Sequence, residues 1–360
     1  MFKERLKIFR ENVFKKNKYL DGFLVLNPTN LAYLSGFEGE GLALITKRSN
    51  FLFTDARYTE QAQKECPDFK IVTDELNLKD ARIIALDKII NQMNLKKIAF
   101  ESKFLNYSDY KKYTDSFKSV ELVPFENTIE PSRMIKEKEE IIKIKKASQI
   151  TTETLKEIIE IIKPGIRELD IAAELSYTMR KKGAHKEAFE IIVVSGERSS
   201  LIHGKPSEKK IEEGELIIID MGSNYQQYNS DITRTIMIGK GNEKQKEIFS
   251  IVLEAQEKAL EFIKPGVKCN EVDTVARNYI ENKGYGKHFG HGLGHGVGLE
   301  IHESPRVSSI DSTILAPGMV VTIEPGIYLP GIGGVRIEDT VLITDDGMEI
   351  LTWFPKILNL

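Results

Sequence analysis

With 360 residues, 41% of them hydrophobic and 29% charged, the chain has an ordinary globular composition and exceeds the usual single-domain size, so two domains are the default expectation. Lys and Arg number 51 against 54 Asp and Glu, a net charge of −3, which leaves no global field to recruit nucleic acid or an anionic membrane. No signal-peptide core and no run of 18 apolar residues occurs, and Cys66 and Cys269 lack the spacing of a metal site or redox pair, so free thiols in a reducing cytosol are expected.

The opening stretch puts Phe2, Leu6, Phe9, Val13 and Phe14 on one helix face, a pattern that fits packing against a core better than lying on a membrane. From there to residue 126, short apolar runs alternate with helical patterns. The runs are Gly22–Leu26, Leu42–Thr46, Phe51–Thr54, Lys97–Phe100 and Val120–Val123, and the helical stretches are Asp55–Glu65 and Leu78–Met93. This alternation predicts an α/β domain of its own over 1–126, with no visible reaction centre. Asp55 reads as a helix N-cap, with Arg57 and Tyr58 in the first turn. The pattern lapses from Asn127 to Pro131, which makes 127–134 a linker and 135–360 a second domain. That domain opens on a long helix over Ile135–Ile162, its Lys and Glu facing solvent and its buried stripe running through Ile141, Ile144, Thr151, Leu155, Ile158 and Ile162.

The second domain repeats itself. IIKPGIRELDIAAELSYTMRKKGAH, from Ile161, aligns with FIKPGVKCNEVDTVARNYIENKGYG, from Phe262. Lys163, Pro164 and Gly165 match Lys264, Pro265 and Gly266, and Gly183 matches Gly284, an offset of 101 in each case. Gly214 to Asp220 and Gly318 to Glu324 both span six positions, offset by 104. Each half predicts a helix, a Lys-Pro-Gly turn, an amphipathic helix, a glycine and then strands, and pseudo-symmetric halves bring their carboxylates together where they meet.

Those carboxylates carry the chemistry. Leu216–Ile219 and Val320–Ile323 are apolar enough to be buried strands, and an ionised carboxylate at the end of each is costly unless something positive answers it. Asp220 ends the first run and Glu324 the second, while Asp231 and Glu338 lie on the following strand of each half. Folded as a hairpin around Ser223–Ser230, the first half sets Asp220 and Asp231 toward one cavity. On the second strands Asp231, Thr233 and Thr235 share a face, as do Arg336, Glu338 and Thr340. A lone Asp in a turn is nearly always a cap, but duplicated pairs closing apolar runs point to metal. Glycine at every second position from Gly290 to Gly298 leaves room for imidazoles, so His295 is the expected ligand, with His291 and His302 beside the site. Four carboxylates and one imidazole suit two divalent ions, Mn²⁺, Co²⁺ or Zn²⁺. Competing motifs fail: His302-Glu303-Ser304-Pro305-Arg306 lacks the second histidine of a zinc-protease helix, and neither a dinucleotide, a phosphate-loop nor a G-x-S-x-G signature occurs.

Taken together, IIIDMG, SDITRT, GHGVGLEIHE, TIEPGIY and GVRIEDT resemble the creatinase/aminopeptidase, or pita-bread, metallopeptidase family and its Xaa-Pro peptidase branch of aminopeptidase P and prolidase, across essentially the whole chain. The resemblance implies an α+β architecture, an N-terminal creatinase-type α/β domain followed by a C-terminal pita-bread domain. It implies Asp220, Asp231, His295, Glu324 and Glu338 as metal ligands, His203 and His302 as the substrate-contacting histidines, His291 as a further histidine near substrate, and Arg336 as the arginine behind the ligands. Family likeness also implies proline-containing peptide substrates and a homodimer or higher homo-oligomer. In this chain the loop Ser195–His203 departs from the family, with Glu197, Arg198 and Ile202 where relatives carry smaller residues, amides or proline. Gly292 stands where some prolidases place arginine, which favours an Xaa-Pro aminopeptidase over a dipeptidase.

The residues and the resemblance agree on hydrolysis. Paired divalent ions make a nucleophile from water near neutral pH and polarise the scissile carbonyl. Glu324 is placed to relay a proton, His203 and His302 to bond the carbonyl or oxyanion, and Arg336 to hold a ligand carboxylate. Tyr225, Tyr228 and Tyr328 are candidates to line a pocket for the proline ring. The rival from another class is a peptide-binding relative that has lost catalysis; a non-metal relative acting on creatine would have no use for four carboxylates.

Overall fold

The computed structural model describes residues 1–74, 80–357 and 359. The chain divides into two compact units, Met1–Ser132 and Arg133–Leu360.

In the first unit the amphipathic opening forms helix α1 (Phe2–Arg10), extended by a π-helical turn at Glu11–Lys15, and Leu6, Phe9, Val13 and Phe14 are buried. The sheet comprises β1 (Gly22–Val25), β2 (Gly41–Thr46), β3 (Asn50–Asp55), β4 (Lys70–Asp74), β5 (Lys97–Glu101) and β6 (Glu121–Phe125), in the order β4-β3-β2-β1-β5-β6. It is mixed: β1–β2 and β2–β3 are antiparallel, the other pairs parallel. Around it lie α2 (Pro28–Ser35), α3 (Thr59–Glu65), α4 (Ala81–Gln92) and α5 (Tyr107–Ser116). Leu78, expected at the start of the fourth helix, lies outside the described residues.

Three of these elements escape a periodicity reading for physical reasons. Helix α2 is buried on nearly every side, so no polar stripe marks it; its signals are the Asn27 cap, whose side chain accepts from the Thr29 N–H, and Pro28 at the first position. Strand β4 is an edge strand that buries only Asp74, and α5 buries only Tyr113. One expectation is corrected. Asp55 closes β3 and does not cap the helix, which starts at Thr59; its carboxylate accepts from the Arg57 N–H at 2.9 Å and pairs with the Arg57 guanidinium at 2.7 Å.

A single turn, α6 (Glu130–Arg133), precedes α7 (Lys138–Ile159), the long helix of the second unit. The long helix begins later than its pattern because Glu137 and Glu140 form a capping box, and it ends ahead of Pro164. Helix α8 (Glu168–Lys181) follows, and the second copy is α9 (Glu243–Phe262) and α10 (Cys269–Asn282). The repeat extends to the backbone: Gly165 and Gly266, in the two Lys-Pro-Gly turns, both have φ of +91°, a left-handed conformation that excludes most side chains.

The first half supplies β7 (Lys186–Glu187), β8 (Ile192–Ser195), β9 (Leu216–Met221), β10 (Ser223–Tyr225), β11 (Tyr228–Asn229) and β12 (Ile232–Met237). The second supplies β13 (Gly294–Gly296), β14 (Glu303–Val307), β15 (Val320–Ile323), β16 (Gly326–Leu329), β17 (Gly333–Arg336), β18 (Asp339–Ile343) and β19 (Met348–Ile350). Sheets β12-β9-β8 and β14-β13-β15-β18-β19 are the two copies, and in each the acid-bearing strands pair antiparallel, β9 with β12 and β15 with β18. The apolar runs do form fully buried strands.

The two sheets are sewn together along β12. Thr235 Oγ1 donates to the Arg336 carbonyl, the Glu338 N–H to the Thr233 carbonyl, and Thr340 Oγ1 to the Asp231 carbonyl, at 2.8, 3.1 and 2.8 Å. This seam corrects the expectation of one strand through Arg336, Glu338 and Thr340. The chain pairs with β16 up to Arg336 and with β15 from Asp339, and between them Glu338 bonds the other half instead. Among the described residues no helix is long and apolar enough to cross a membrane. Both cysteines are buried and free, and burial pushes their thiols up to about 11 at Cys66 and about 12 at Cys269.

Candidate metal centre

The acids that close the apolar strands converge at the seam. Asp220 is the penultimate residue of β9, Asp231 immediately precedes β12, Glu324 follows β15 and Glu338 sits in the break before β18. Asp231, His295 and Glu338 can place one ligand atom each within 4.8 Å of the others. Glu324 joins them through His295, whose Nε2 lies 3.3 Å from Glu324 Oε1 and 3.6 Å from Asp231 Oδ2. Asp220 leans toward Arg336, with Oδ2 2.6 Å from a guanidinium nitrogen.

Each ligand candidate is oriented by a neighbour. His295 Nδ1 lies 3.1 Å from the Gly296 carbonyl, which can only accept, so Nε2 is the nitrogen presented to the carboxylates. Thr233 Oγ1 donates to Glu338 Oε2 at 2.6 Å, and Thr322 Oγ1 to Glu324 Oε1 at 3.1 Å. Against this order stand three buried oxygens, Asp220 Oδ1, Asp231 Oδ1 and Glu338 Oε1, that have no hydrogen-bond partner among the described residues. Buried carboxylate oxygens are seldom left so. Such oxygens on Asp231 and Glu338, in the group that also holds the His295 imidazole, and on Asp220 nearby in the seam, are donors that fit hard divalent cations.

The electrostatics say the same. Burial drives the Asp231 carboxyl well above the carboxylate range, and the charges of Glu338, Asp220 and Glu324 add to it. Burial, then Glu324 and Asp220, does likewise to Glu338, and burial outweighs the Arg336 charge to raise Asp220. Glu324 is the exception. Burial works against its charge, yet the hydrogen bond and charge of His295 bring its carboxyl down to about 2, while that same contact lifts His295 against the cost of its own burial. A crowd of mutually repelling acids in a buried site is stable when ionised only if cations join it.

Around this core the other expected residues take different places. The His302 ring stacks edge-on against His295 with centroids 4.3 Å apart, and burial with the neighbouring His295 charge lowers its pKa. His203 is exposed, near enough for its charge to act on His302. His291 faces Tyr328 instead of the acids, its Nε2 3.0 Å from the phenol oxygen and its Nδ1 2.8 Å from the Gly292 carbonyl. Tyr328 in turn accepts from Arg336 Nη1 at 2.9 Å, and burial pushes its hydroxyl up to about 12. The phenol therefore keeps its proton and gives it to His291 Nε2, making a chain His291–Tyr328–Arg336–Asp220. Tyr225 and Tyr228 do not line the site. Tyr228 is buried and donates to Glu140 at 2.8 Å, and Tyr225 packs beside His185.

Reading the residues alone missed the supports that hold the histidines. Glu303, next to His302, is clamped by Arg133 and Lys136 in a nearly solvent-free cluster, with Lys136 Nζ 2.7 Å from Glu303 Oε1. Asp273 and Arg277 on α10 hold the glycine-rich loop: Asp273 Oδ1 accepts from the Leu293 N–H at 3.0 Å and Arg277 Nη2 donates to the His291 carbonyl at 2.7 Å. The signal for the second was an Asp and an Arg four residues apart on the amphipathic helix.

Two family models match the chain in sequence, the creatinase/prolidase N-terminal domain over residues 5–135 and metallopeptidase family M24 over residues 142–345. A protein named Xaa-Pro dipeptidase from Pyrococcus horikoshii is 45% identical over 94% of this chain and 94% of its own length. The solved structure of an Xaa-Pro dipeptidase from Bacillus anthracis superposes with a TM-score of 0.95 at 42% identity, covering 100% of both chains. That of an X-Pro aminopeptidase from Thermotoga maritima gives 0.87 at 42% identity, over 95% of this chain and 98% of the other. With the ligand-type cluster lying inside the matched region, and a creatinase-type unit ahead of a pita-bread unit, the chain is an enzyme of metallopeptidase family M24.

Proposed function

We propose that the enzyme cleaves the Xaa-Pro bond of dipeptides, using two divalent ions held by Asp220, Asp231, His295, Glu324 and Glu338, Mn²⁺ being the first choice. What carries the metal reading is the cluster of Asp231, His295 and Glu338, together with buried oxygens of Asp220, Asp231 and Glu338 that have no hydrogen-bond partner among the described residues. Dipeptides are preferred over longer peptides because the Pyrococcus and Bacillus relatives described above both bear the name Xaa-Pro dipeptidase. The similarity to the Thermotoga X-Pro aminopeptidase, with Gly292, supports a second reading, removal of the first residue from longer Xaa-Pro peptides.

When bound, the ions supply Lewis acidity and a water acidic enough to react near neutral pH. The chain's own residues do the rest. Glu324 takes the proton of the attacking water and passes it to the leaving proline nitrogen. His302, whose pKa burial and the nearby His295 lower, donates to the developing oxyanion together with His203. An Xaa-Pro amide has no N–H, so the pocket needs a shaped wall and no acceptor for that atom. Tyr328 and His291, locked to each other and to Arg336, provide a wall that does not move.

Rates on Xaa-Pro dipeptides beside Xaa-Pro-Yaa tripeptides test this directly. The dipeptide is expected to be cleaved at least about ten-fold faster. A reversed preference selects the aminopeptidase reading, and inertness toward both defeats the Xaa-Pro reading.

Chelation tests the ions. Carboxyls whose folded-state pKa is raised, as at Asp231 and Glu338, contribute stability below the ordinary carboxylate pKa and lose it as pH rises through the folded value. These two carboxyls therefore weaken the metal-free protein more at pH 8 than at pH 5. Removing the ions is expected to lower the melting temperature by about 5–10 °C at pH 8, and by less at pH 5, as followed by calorimetry.

A further inference from the structure

Helix α8 opens on a carboxylate that the metal chemistry leaves unused. Glu168 is fully buried, and both of its oxygens are engaged. Oε1 accepts from the Ser195 N–H at 2.7 Å and the Ser195 hydroxyl at 2.9 Å. Oε2 accepts from the Ser207 N–H at 3.0 Å, the Ser207 hydroxyl at 2.7 Å and Arg198 Nε at 3.2 Å. Every one of these donors belongs to a single arm of chain, 195–207, and that arm carries His203. Arg198 closes it on itself by donating to the Lys205 carbonyl at 2.6 Å.

The crest of the arm leans on the other half of the unit. Ser199 Oγ accepts from the Gly334 N–H at 2.8 Å, and a Cβ at Gly334 would come within 2.3 Å of the Ser199 carbonyl oxygen, so the two backbones meet only because position 334 is glycine. Arg336 Nη1 donates to the Ile202 carbonyl, one residue before His203, at 3.3 Å. The base of the arm is thus tied to one buried point and its crest to the strand that ends at Arg336. An ionised carboxylate without exposure is tolerated when charge-assisted donors surround it, so Glu168 and the shape of the arm depend on each other.

We propose that Glu168 is a positioning residue for His203: by tying Ser195, Arg198 and Ser207 to one buried carboxylate it fixes the arm that sets the His203 imidazole beside His302, without itself touching substrate or metal. The inference rests on the substrate-facing role given above to His203. It also gives Arg198, where this loop departs from its family, a physical task.

The test is a cycle of Glu168→Gln, His203→Ala and the double variant of the metal-loaded enzyme. Glu168→Gln keeps the shape but turns an acceptor into a donor, and it is expected to lower kcat/KM on an Xaa-Pro dipeptide by about ten-fold with bound metal unchanged. In the His203→Ala background the same change should cost less than about two-fold, because what Glu168 positions is already gone. A loss of equal size in both backgrounds would mean that Glu168 merely braces the start of α8, and would overturn the proposal. Amide hydrogen exchange reads the arm without activity: residues 195–207 should exchange at least about ten-fold faster in Glu168→Gln, with β9 and β12 unaltered, and unchanged protection overturns the proposal. Because exchange needs no substrate, a wild type inert toward every Xaa-Pro peptide sinks the peptidase reading alone. Should Glu168→Gln fail to fold, Ser207→Ala removes one donor and is expected to act in the same directions by about three-fold. A Ser207→Ala enzyme matching wild type in both measurements refutes the clamp.

Discussion

Replacing Asp231 with alanine is expected to lower kcat/KM by at least about 10³-fold, and to strengthen the metal-free fold while doing so. Both effects follow from one position. Asp231 shares the triad with His295 and Glu338, so without it no three ligand atoms of that group remain to seat an ion. In the metal-free protein the same carboxylate is buried, one oxygen has no partner among the described residues, and the charges of Glu338, Asp220 and Glu324 oppose its ionisation. Removing it relieves that repulsion. Calorimetry at pH 8 should find the metal-free variant melting above metal-free wild type, whereas added Mn²⁺ raises only the wild type. Preserved activity, or a metal-free variant less stable than its parent, would contradict the account of the centre.

Arg336→Met is expected to carry the second largest penalty, about 10²-fold or more in kcat/KM together with about 3–5 kcal/mol of stability. Its side chain is almost solvent-free and reaches Asp220, Tyr328, Thr233 and the Ile202 carbonyl. Methionine fills much of the volume and supplies none of these donors, so a buried carboxylate loses its charge partner and the Tyr328 wall loses its anchor. Arg336→Lys separates the two parts of the argument. A lysine keeps a positive charge near Asp220 but cannot span Asp220 and Tyr328 at once, so stability should largely return while kcat/KM stays about ten-fold down. Urea unfolding and steady-state kinetics on the two variants decide it, and equal behaviour of Lys and Met would show that charge near Asp220 is not what Arg336 contributes.

How much of this was legible before folding differs by kind of feature. The four acids stood out because each closes a buried apolar run or follows one on the next strand, a local signal that desolvation makes improbable by accident, and the duplicated Lys-Pro-Gly turns announced two related halves. The clamp on Glu303 was silent because it is long-range. Lys136 finds Glu303 167 residues away, and nothing near either residue advertises the pairing. Tyr228 beside Tyr225 looked as fit for a pocket as Tyr328, and only tertiary packing sends it to Glu140. The break at Glu338 was hidden for a similar reason: strand periodicity runs straight through it, while the chain there changes partners from β16 to β15.

The seam along β12 has a consequence for how the enzyme is born. Asp220 meets Arg336 across 116 residues and the Asp231 carbonyl meets Thr340 across 109, so the first pair of acids leaves the ribosome long before the seam that fixes them can close. At elongation rates of about 5–20 residues per second the wait is roughly 5–25 s, during which β9 and β12 can pair but the centre cannot exist. Metal capture is thereby postponed to the close of translation. A nascent chain truncated before residue 338 is a half-built vessel that no concentration of Mn²⁺ should be able to fill.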